Sequence, residues 1–157
     1  MNSRLLGALR LHPRELNELK PQELSGLSWD EDEQVLLAVS DDGVIVHLAP
    51  KFADNVLIDV RMTAIYRLED EHGVPLDEFH SDAEGVVGHH MDNGIADDSF
   101  LSVSFEQEPR IIDYTPQGKF IRAREIPHRL RSIENYSGKN QELESLAEHP
   151  KYGIFTA

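Results

Sequence analysis

Hydrophobic positions in this 157-residue chain occur in short runs rather than at the spacing of an amphipathic helix. The runs are rich in β-branched and aromatic residues, and Asp, Gly or Pro residues bound them, which is typical of strands joined by tight turns. The pattern predicts strands at Val35–Ser40, Val44–Leu48, Phe100–Phe105, Arg110–Tyr114 and Phe120–Ile126, and a longer strand or strand pair at Val56–Leu68. No segment has a convincing long-helix pattern, so the sequence predicts an all-β fold.

A short pattern recurs three times, with offsets of 59 and 60 residues. It is LSGL at Leu24–Leu27, AEGV at Ala83–Val86 and LESL at Leu143–Leu146. A turn and a second strand that ends in small and acidic residues follow the first two copies. Strand units that repeat at such a period are typical of β-propeller blades. We therefore predict one partial propeller domain over residues 1–157, with blades starting near residues 24, 83 and 143.

The number of copies predicts an incomplete ring. A blade buries its faces only against neighbouring blades, and two blades with the start of a third are too few to close a propeller. We expect a truncated propeller that needs the remaining blades or a partner chain to close the ring. A further possibility is that the chain is a fragment that does not fold alone.

The acidic composition restricts the partners of the chain. It has 29 Asp and Glu residues against 15 Lys and Arg, a formal net charge of −14. This charge argues against nucleic acid, because phosphate binding needs a cationic face. No apolar run approaches eighteen residues, so we expect no membrane insertion, and no secretory signal peptide is present in this sequence. Without Cys, disulfides and thiolate metal sites are excluded.

Acidic residues stand where the first strand of a copy begins and where its second strand ends. These two points are neighbours in an antiparallel pair. Glu84 is therefore expected near Glu106, and Ser25 near Asp41 and Asp42. The first strands of propeller blades line the central channel. The repeat thus predicts an acidic cluster at one mouth of that channel, which consists of Asp41, Asp82, Glu84, Glu106 and Glu144.

Carboxylates that share a site of low dielectric repel one another unless a cation neutralises them. An all-oxygen cluster suits Ca²⁺, or Mg²⁺ or Mn²⁺ in its place. Such a cation can polarise an ester or phosphoester and activate water, with Glu84, Glu106 and Glu144 as candidate catalytic residues. The alternative is structural, since a Glu that opens a first strand can cap backbone N–H groups or bind the next blade.

Other candidates receive plainer interpretations. His89 and His90 are adjacent in a predicted strand and point to opposite faces, so we expect a solvated pair rather than a metal site. The following loop, Met91–Asp98, lacks the ligand order of an EF-hand and is only a weak candidate for Ca²⁺. The most basic stretch, Ile126–Asn140, is interpreted as a solvated connection between blades, with phosphate contact as the alternative.

Three segments together resemble a known family: ELSGLSWDEDEQVLLAVSDDG, DAEGVV followed by FLSVSFEQEPRIIDYTPQGKF, and NQELESLAEHP. They are similar to the phytase-like propellers described as having an esterase-like activity of phytase, over roughly Leu9 to Ala157. The chain departs from the family pattern where Phe105 stands before Glu106, and the second half of a family member of normal length is absent.

The resemblance implies an exported protein, periplasmic or extracellular, that hydrolyses a small-molecule ester or phosphoester. The runner-up is a non-catalytic propeller segment that binds a ligand or a protein, because a fold does not determine an activity.

Overall fold

The computed structural model describes residues 5–11, 16–138 and 142–157. Within these ranges it contains three antiparallel sheets, two short 3-10 turns and no α-helix. This confirms the all-β prediction. The first sheet runs in chain order through β1 (Leu24–Asp30), β2 (Val35–Ser40), β3 (Val44–Ala53) and β4 (Val56–Arg67). The second runs in the same way through β5 (Ala83–His89), β6 (Phe100–Phe105), β7 (Arg110–Tyr114) and β8 (Phe120–Ala123), and the third pairs β9 (Leu146–His149) with β10 (Gly153–Thr156).

The strand boundaries follow the hydrophobic pattern in most of the first two sheets, but β3 continues to Ala53 rather than ending at Leu48, and β8 ends at Ala123 rather than at Ile126. The segment from residue 56 forms one long strand, β4, rather than a strand pair. In the third copy the strand begins at Leu146, because Leu143 has a φ of 46° and so lies in the left-handed region, outside strand geometry. The residues just before β9 are therefore an irregular segment.

The main core lies between the first and the second sheet. Alternate residues of each strand point to the same face, and the facing sides of these two sheets are apolar and pack on each other. Leu37, Val39 and Ile45 of the first sheet join Phe105 and Tyr114 of the second in one buried cluster. The two four-stranded sheets are thus one packed body.

The first strands of the three sheets are neighbours, since β5 contacts both β1 and β9. Two glycines permit this close approach. A Cβ atom at Gly26 would lie 2.8 Å from Cγ1 of Val86, and one at Gly85 would lie 2.6 Å from the backbone nitrogen of Leu146. The starts of β1, β5 and β9 are consequently held together at one end of the sheets.

The three sheets do not form a closed ring in this chain. The structure therefore shows three antiparallel sheets, and the propeller with its number of blades stays a prediction. In the described ranges, no helix is long and apolar enough to cross a membrane.

Candidate functional site

The starts of β1 and β5 carry the same irregularity. The register of β1 on β2 shifts between Leu24 and Gly26, and that of β5 on β6 shifts between Ala83 and Val86. A bulge of this kind changes the direction of the side chain at the extra residue. Glu84 lies within the second irregularity, at the start of β5.

Asp41 follows β2 and is linked to both sheets. The Ser25 hydroxyl donates a hydrogen bond to its carboxylate. Ser81 precedes β5, and its hydroxyl donates a hydrogen bond to the backbone carbonyl of Asp41 at 3.1 Å. These contacts bring Asp41 of the first sheet to the start of the second sheet.

Glu106 follows β6 and is fixed against the residue that precedes β5. Its backbone N–H donates to the carbonyl of Asp82 at 3.0 Å. The Gln107 side chain donates to the Asp82 carboxylate at 2.9 Å. The end of β6 and the start of β5 therefore present their acids side by side.

Glu144 is brought to the same place by a buried serine. The Ser104 hydroxyl donates to the carbonyl of Leu143 at 2.7 Å and accepts a hydrogen bond from the N–H of Gly85 at 3.0 Å. Ser104 is fully buried, so this hydroxyl joins β5 and β6 to the segment that precedes β9. Glu144 lies in that segment.

The five predicted acids meet in two groups that share Glu84. One group is Asp41, Asp82 and Glu84, and the other is Glu84, Glu106 and Glu144. Within each group, one carboxylate oxygen per residue lies within 4.8 Å of the others. Two oxygens on opposite sides of a Ca²⁺ ion are about 5 Å apart, since each lies 2.3–2.6 Å from the ion. The spacing therefore fits a divalent cation with oxygen ligands. We call these five residues the acidic cluster.

Two members of the acidic cluster have pKa values that are raised to near neutral pH. Burial raises the pKa of Glu84 to about 7, and the charges of Asp41, Glu144 and Asp82 add to this. Burial likewise raises the pKa of Glu106 to about 8, with further contributions from Asp82 and from a hydrogen bond with Glu144. Glu106 is 2% exposed, and its Oε1 atom is buried with no hydrogen-bond partner within the described ranges. In the described ranges, the charges that act most strongly on these two acids are therefore negative.

Comparison with known proteins adds a family. The family model for phytase-like proteins, described as esterase-like activity of phytase, matches residues 20–157. The chain belongs to the phytase-like family. No curated protein and no solved structure matches it significantly. The matched residues include the whole acidic cluster and every strand of the described chain.

Glu23 of this phytase-like chain is a further acid beside the acidic cluster, and it is absent from the predicted set. A hydrogen bond with Asp41, followed by the charge of Asp41, raises the pKa of its exposed side chain. Glu23 precedes the first strand of its copy as Asp82 and Glu142 do in theirs, at the same offsets of 59 and 60 residues. An acid thus recurs one residue before each of the three four-residue copies, and this recurrence would have predicted Glu23.

The interpretation of His89 as a solvated residue is wrong. Its side chain is 8% exposed and stacks on Phe100, with ring centroids 4.4 Å apart. One ring nitrogen lies 2.7 Å from the Ser102 hydroxyl and the other lies 3.2 Å from the carboxylate of Glu148 on β9. The third sheet covers this histidine, which no local pattern indicates. His90 is exposed, and neither histidine belongs to a metal-compatible group in the described part of the phytase-like chain.

The loop after β5 is held by acids of the first sheet. Asp32 accepts hydrogen bonds from the backbone N–H groups of Asn93 and Gly94 at 2.8 and 3.0 Å. The acids of the loop itself, Met91–Asp98, do not form a metal-compatible group among the described residues. In the basic stretch, Lys139 and Asn140 lie outside the described residues.

Proposed function

We propose that this chain is part of an esterase or phosphoesterase propeller that hydrolyses a small-molecule ester at the acidic cluster with the help of a divalent cation. The observation that carries the proposal is the buried, unpartnered oxygen of Glu106 beside Glu84 and Glu144. Membership of the phytase-like family supports ester chemistry.

The donors in the acidic cluster fit Ca²⁺ best. Ca²⁺ takes six to eight oxygen ligands in flexible geometry, whereas Mg²⁺ demands a near-ideal octahedron. Carboxylates from two turns and two strand starts match the flexible geometry better. A cation held by these carboxylates would polarise a carbonyl or phosphoryl oxygen and lower the pKa of a bound water.

The side chains of the cluster suggest separate roles. Glu106 is buried, so we assign it to cation binding, and Glu84 belongs to both groups, so we assign it to the connection between them. Glu144 is the exposed member of its group, and we assign it as the base that accepts a proton from the attacking water. Asp41 and Asp82 complete the ligand set.

The proposal includes a propeller channel around the acidic cluster. Neighbouring first strands support their placement along a propeller channel, with the acidic cluster at its mouth. Further blades or a partner chain then complete the ring. The family resemblance supports export to the periplasm or the cell exterior.

The experiment is hydrolysis of p-nitrophenyl phosphate and p-nitrophenyl butyrate during titration with CaCl₂ and then with EDTA. We expect Ca²⁺-dependent turnover that falls at least about 100-fold in Glu144→Gln, since a general base contributes roughly 10²–10⁴-fold. The matched control is Asp54→Asn, an exposed acid in the turn between β3 and β4.

Turnover that is equal in EDTA, or unchanged in Glu144→Gln, contradicts the proposal. Cation binding without any turnover supports the runner-up, a propeller segment that binds a ligand or a protein.

A further inference from the structure

A cavity of about 400 Å³ lies between the first two sheets, at the end opposite the acidic cluster. The cluster lies where β1 begins and β2 ends, whereas Asp30 closes β1 just before the turn into β2. The walls come from that turn, from β3 and β4, from the loop after β5 and from the turn between β7 and β8. The volume is within the range of small-molecule sites. We call this space the far-end cavity.

A buried acid with an unused oxygen forms part of the wall. Asp30 is 0% exposed. Its Oδ1 atom accepts a hydrogen bond from the backbone N–H of Glu33 at 3.0 Å, which closes the turn. Its Oδ2 atom is buried and has no hydrogen-bond partner in the described chain. The turn therefore needs only one of the two oxygens, and a buried carboxylate oxygen without a donor is unfavourable.

The rest of the cavity favours a positive charge. Glu33 and Asp97 are the other acids of the wall, and among the residues that the structure describes no Lys or Arg lines it. The Glu33 carboxylate accepts a hydrogen bond from the N–H of Asp97 at 3.1 Å, which keeps both acids at the rim. A ligand with N–H donors and a positive charge satisfies Asp30 and meets no cationic competitor.

Aromatic rings form one side of the cavity. His47 and Tyr66 both line it and pack edge to face, with centroids 5.2 Å apart. His47 is fixed by a contact of 2.7 Å between its Nε2 atom and the carbonyl of Pro116. A tyrosine face attracts ammonium groups, and its apolar area suits the carbon skeleton of an organic cation.

A metal ion fits the far-end cavity poorly. Groups of three carboxylate or histidine ligands within metal-binding distance occur at the acidic cluster, and in the part of the chain that the structure describes none contains Asp30. One carboxylate beside an aromatic wall is instead the pattern of an organic ammonium site. We propose that the far-end cavity binds a small organic ammonium ion, with Asp30 as its anionic anchor and Tyr66 as its aromatic wall.

The test is a calorimetric titration of the full chain with butylammonium chloride in 150 mM NaCl. We expect saturable binding of one ion per chain. The uncharged 1-pentanol, of similar size, should bind at least tenfold more weakly. Asp30→Asn keeps the shape and removes the charge, and we expect it to weaken butylammonium binding at least tenfold.

Two controls separate this site from the acidic cluster and from the general negative charge of the chain. Glu106→Gln and Asp54→Asn should leave butylammonium binding unchanged. If Asp30→Asn does not fold, Tyr66→Leu replaces it and should weaken binding several-fold. Absence of saturable binding, equal binding of 1-pentanol, or full binding by the Asp30 and Tyr66 variants overturns the proposal.

Discussion

The second sheet contains two buried acids with opposite surroundings. Asp113 on β7 accepts hydrogen bonds from Arg122 at 2.7 Å, Arg124 at 2.5 Å and Ser102 at 2.7 Å. Burial alone would raise the pKa of Asp113, but hydrogen bonds from Arg124, Ser102 and Arg122 lower it below its usual value. Glu106, after β6, has carboxylates around it, and its pKa is raised.

The difference separates a structural acid from a candidate functional one. Two arginines of the same chain compensate the charge of Asp113, so this acid needs no cation from solution. Glu106 is about as buried as Asp113, but among the described residues no cationic side chain pairs with it. Its carboxyl group must therefore keep a proton or bind a cation. A perturbed acid of this kind is where binding and catalysis concentrate.

The largest expected effect concerns the structural acid. Asp113→Asn removes the charge that two arginines share and leaves Arg124 partly buried without its partner. We expect the free energy of unfolding to fall by about 3 kcal/mol, as for other broken buried pairs. Urea denaturation measures the loss, with Asp54→Asn as control. A change below about 0.5 kcal/mol would show that the arginines do not stabilise this sheet.

The second effect is the pH dependence of stability without cations. The raised pKa values of Glu84 and Glu106, about 7 and 8, mean that folding favours their protonated forms. Stability is therefore greatest below pH 4.5 with respect to these groups and falls as the pH rises toward 8. Solvent screening of the partly exposed Glu84 and the coupling between the two acids make the effect smaller than the full pKa shifts would give. We therefore expect a loss on the order of 2 kcal/mol in EDTA between pH 5 and 8.5, measured by urea denaturation.

In Glu106→Gln this loss should be at least halved, because the neutral amide has no proton to release. An equal loss in both proteins would mean that Glu106 is not the group that titrates. The raised pKa of Glu106 would then be wrong.

A smaller loss of stability is expected when a substitution at Gly85 pushes the third sheet away from β5 and Glu106. In Gly85→Ala the new methyl group would lie 2.6 Å from the backbone nitrogen of Leu146 and 2.7 Å from the Ser104 hydroxyl. We expect a loss of about 1–2 kcal/mol from overpacking. Because Glu144 moves with this segment, the pH dependence that Glu106 causes should also become weaker. Intact stability in urea would show that β5 and β9 do not pack as closely as described.

Much of the fold follows from local pattern, and some of the site does as well. Runs such as Val35–Ser40 lie between explicit turn residues, so their strands are predicted from sequence. The approach of Glu84 to Glu106 follows from antiparallel pairing alone, and the structure brings the two together.

Contacts between sheets are not predictable in this way. The coverage of His89 by Glu148 depends on how the third sheet packs. The counter-charges of Asp113 depend on how Arg122 of β8 and Arg124 just after it turn toward the sheet. The unpaired oxygen of Asp30 depends on whether the neighbouring sheet places a hydrogen-bond donor beside it. These features arise from packing across the chain rather than from any single run of residues.

The central claim is the proposal that the acidic cluster around Glu106 binds a divalent cation. Calorimetric titration of the chain with CaCl₂ at pH 7.5 tests it most directly. We expect saturable binding, with affinity at least tenfold lower in Glu106→Gln and unchanged in Asp54→Asn. Binding that is absent, or equal in Glu106→Gln and the unmodified chain, would contradict the claim.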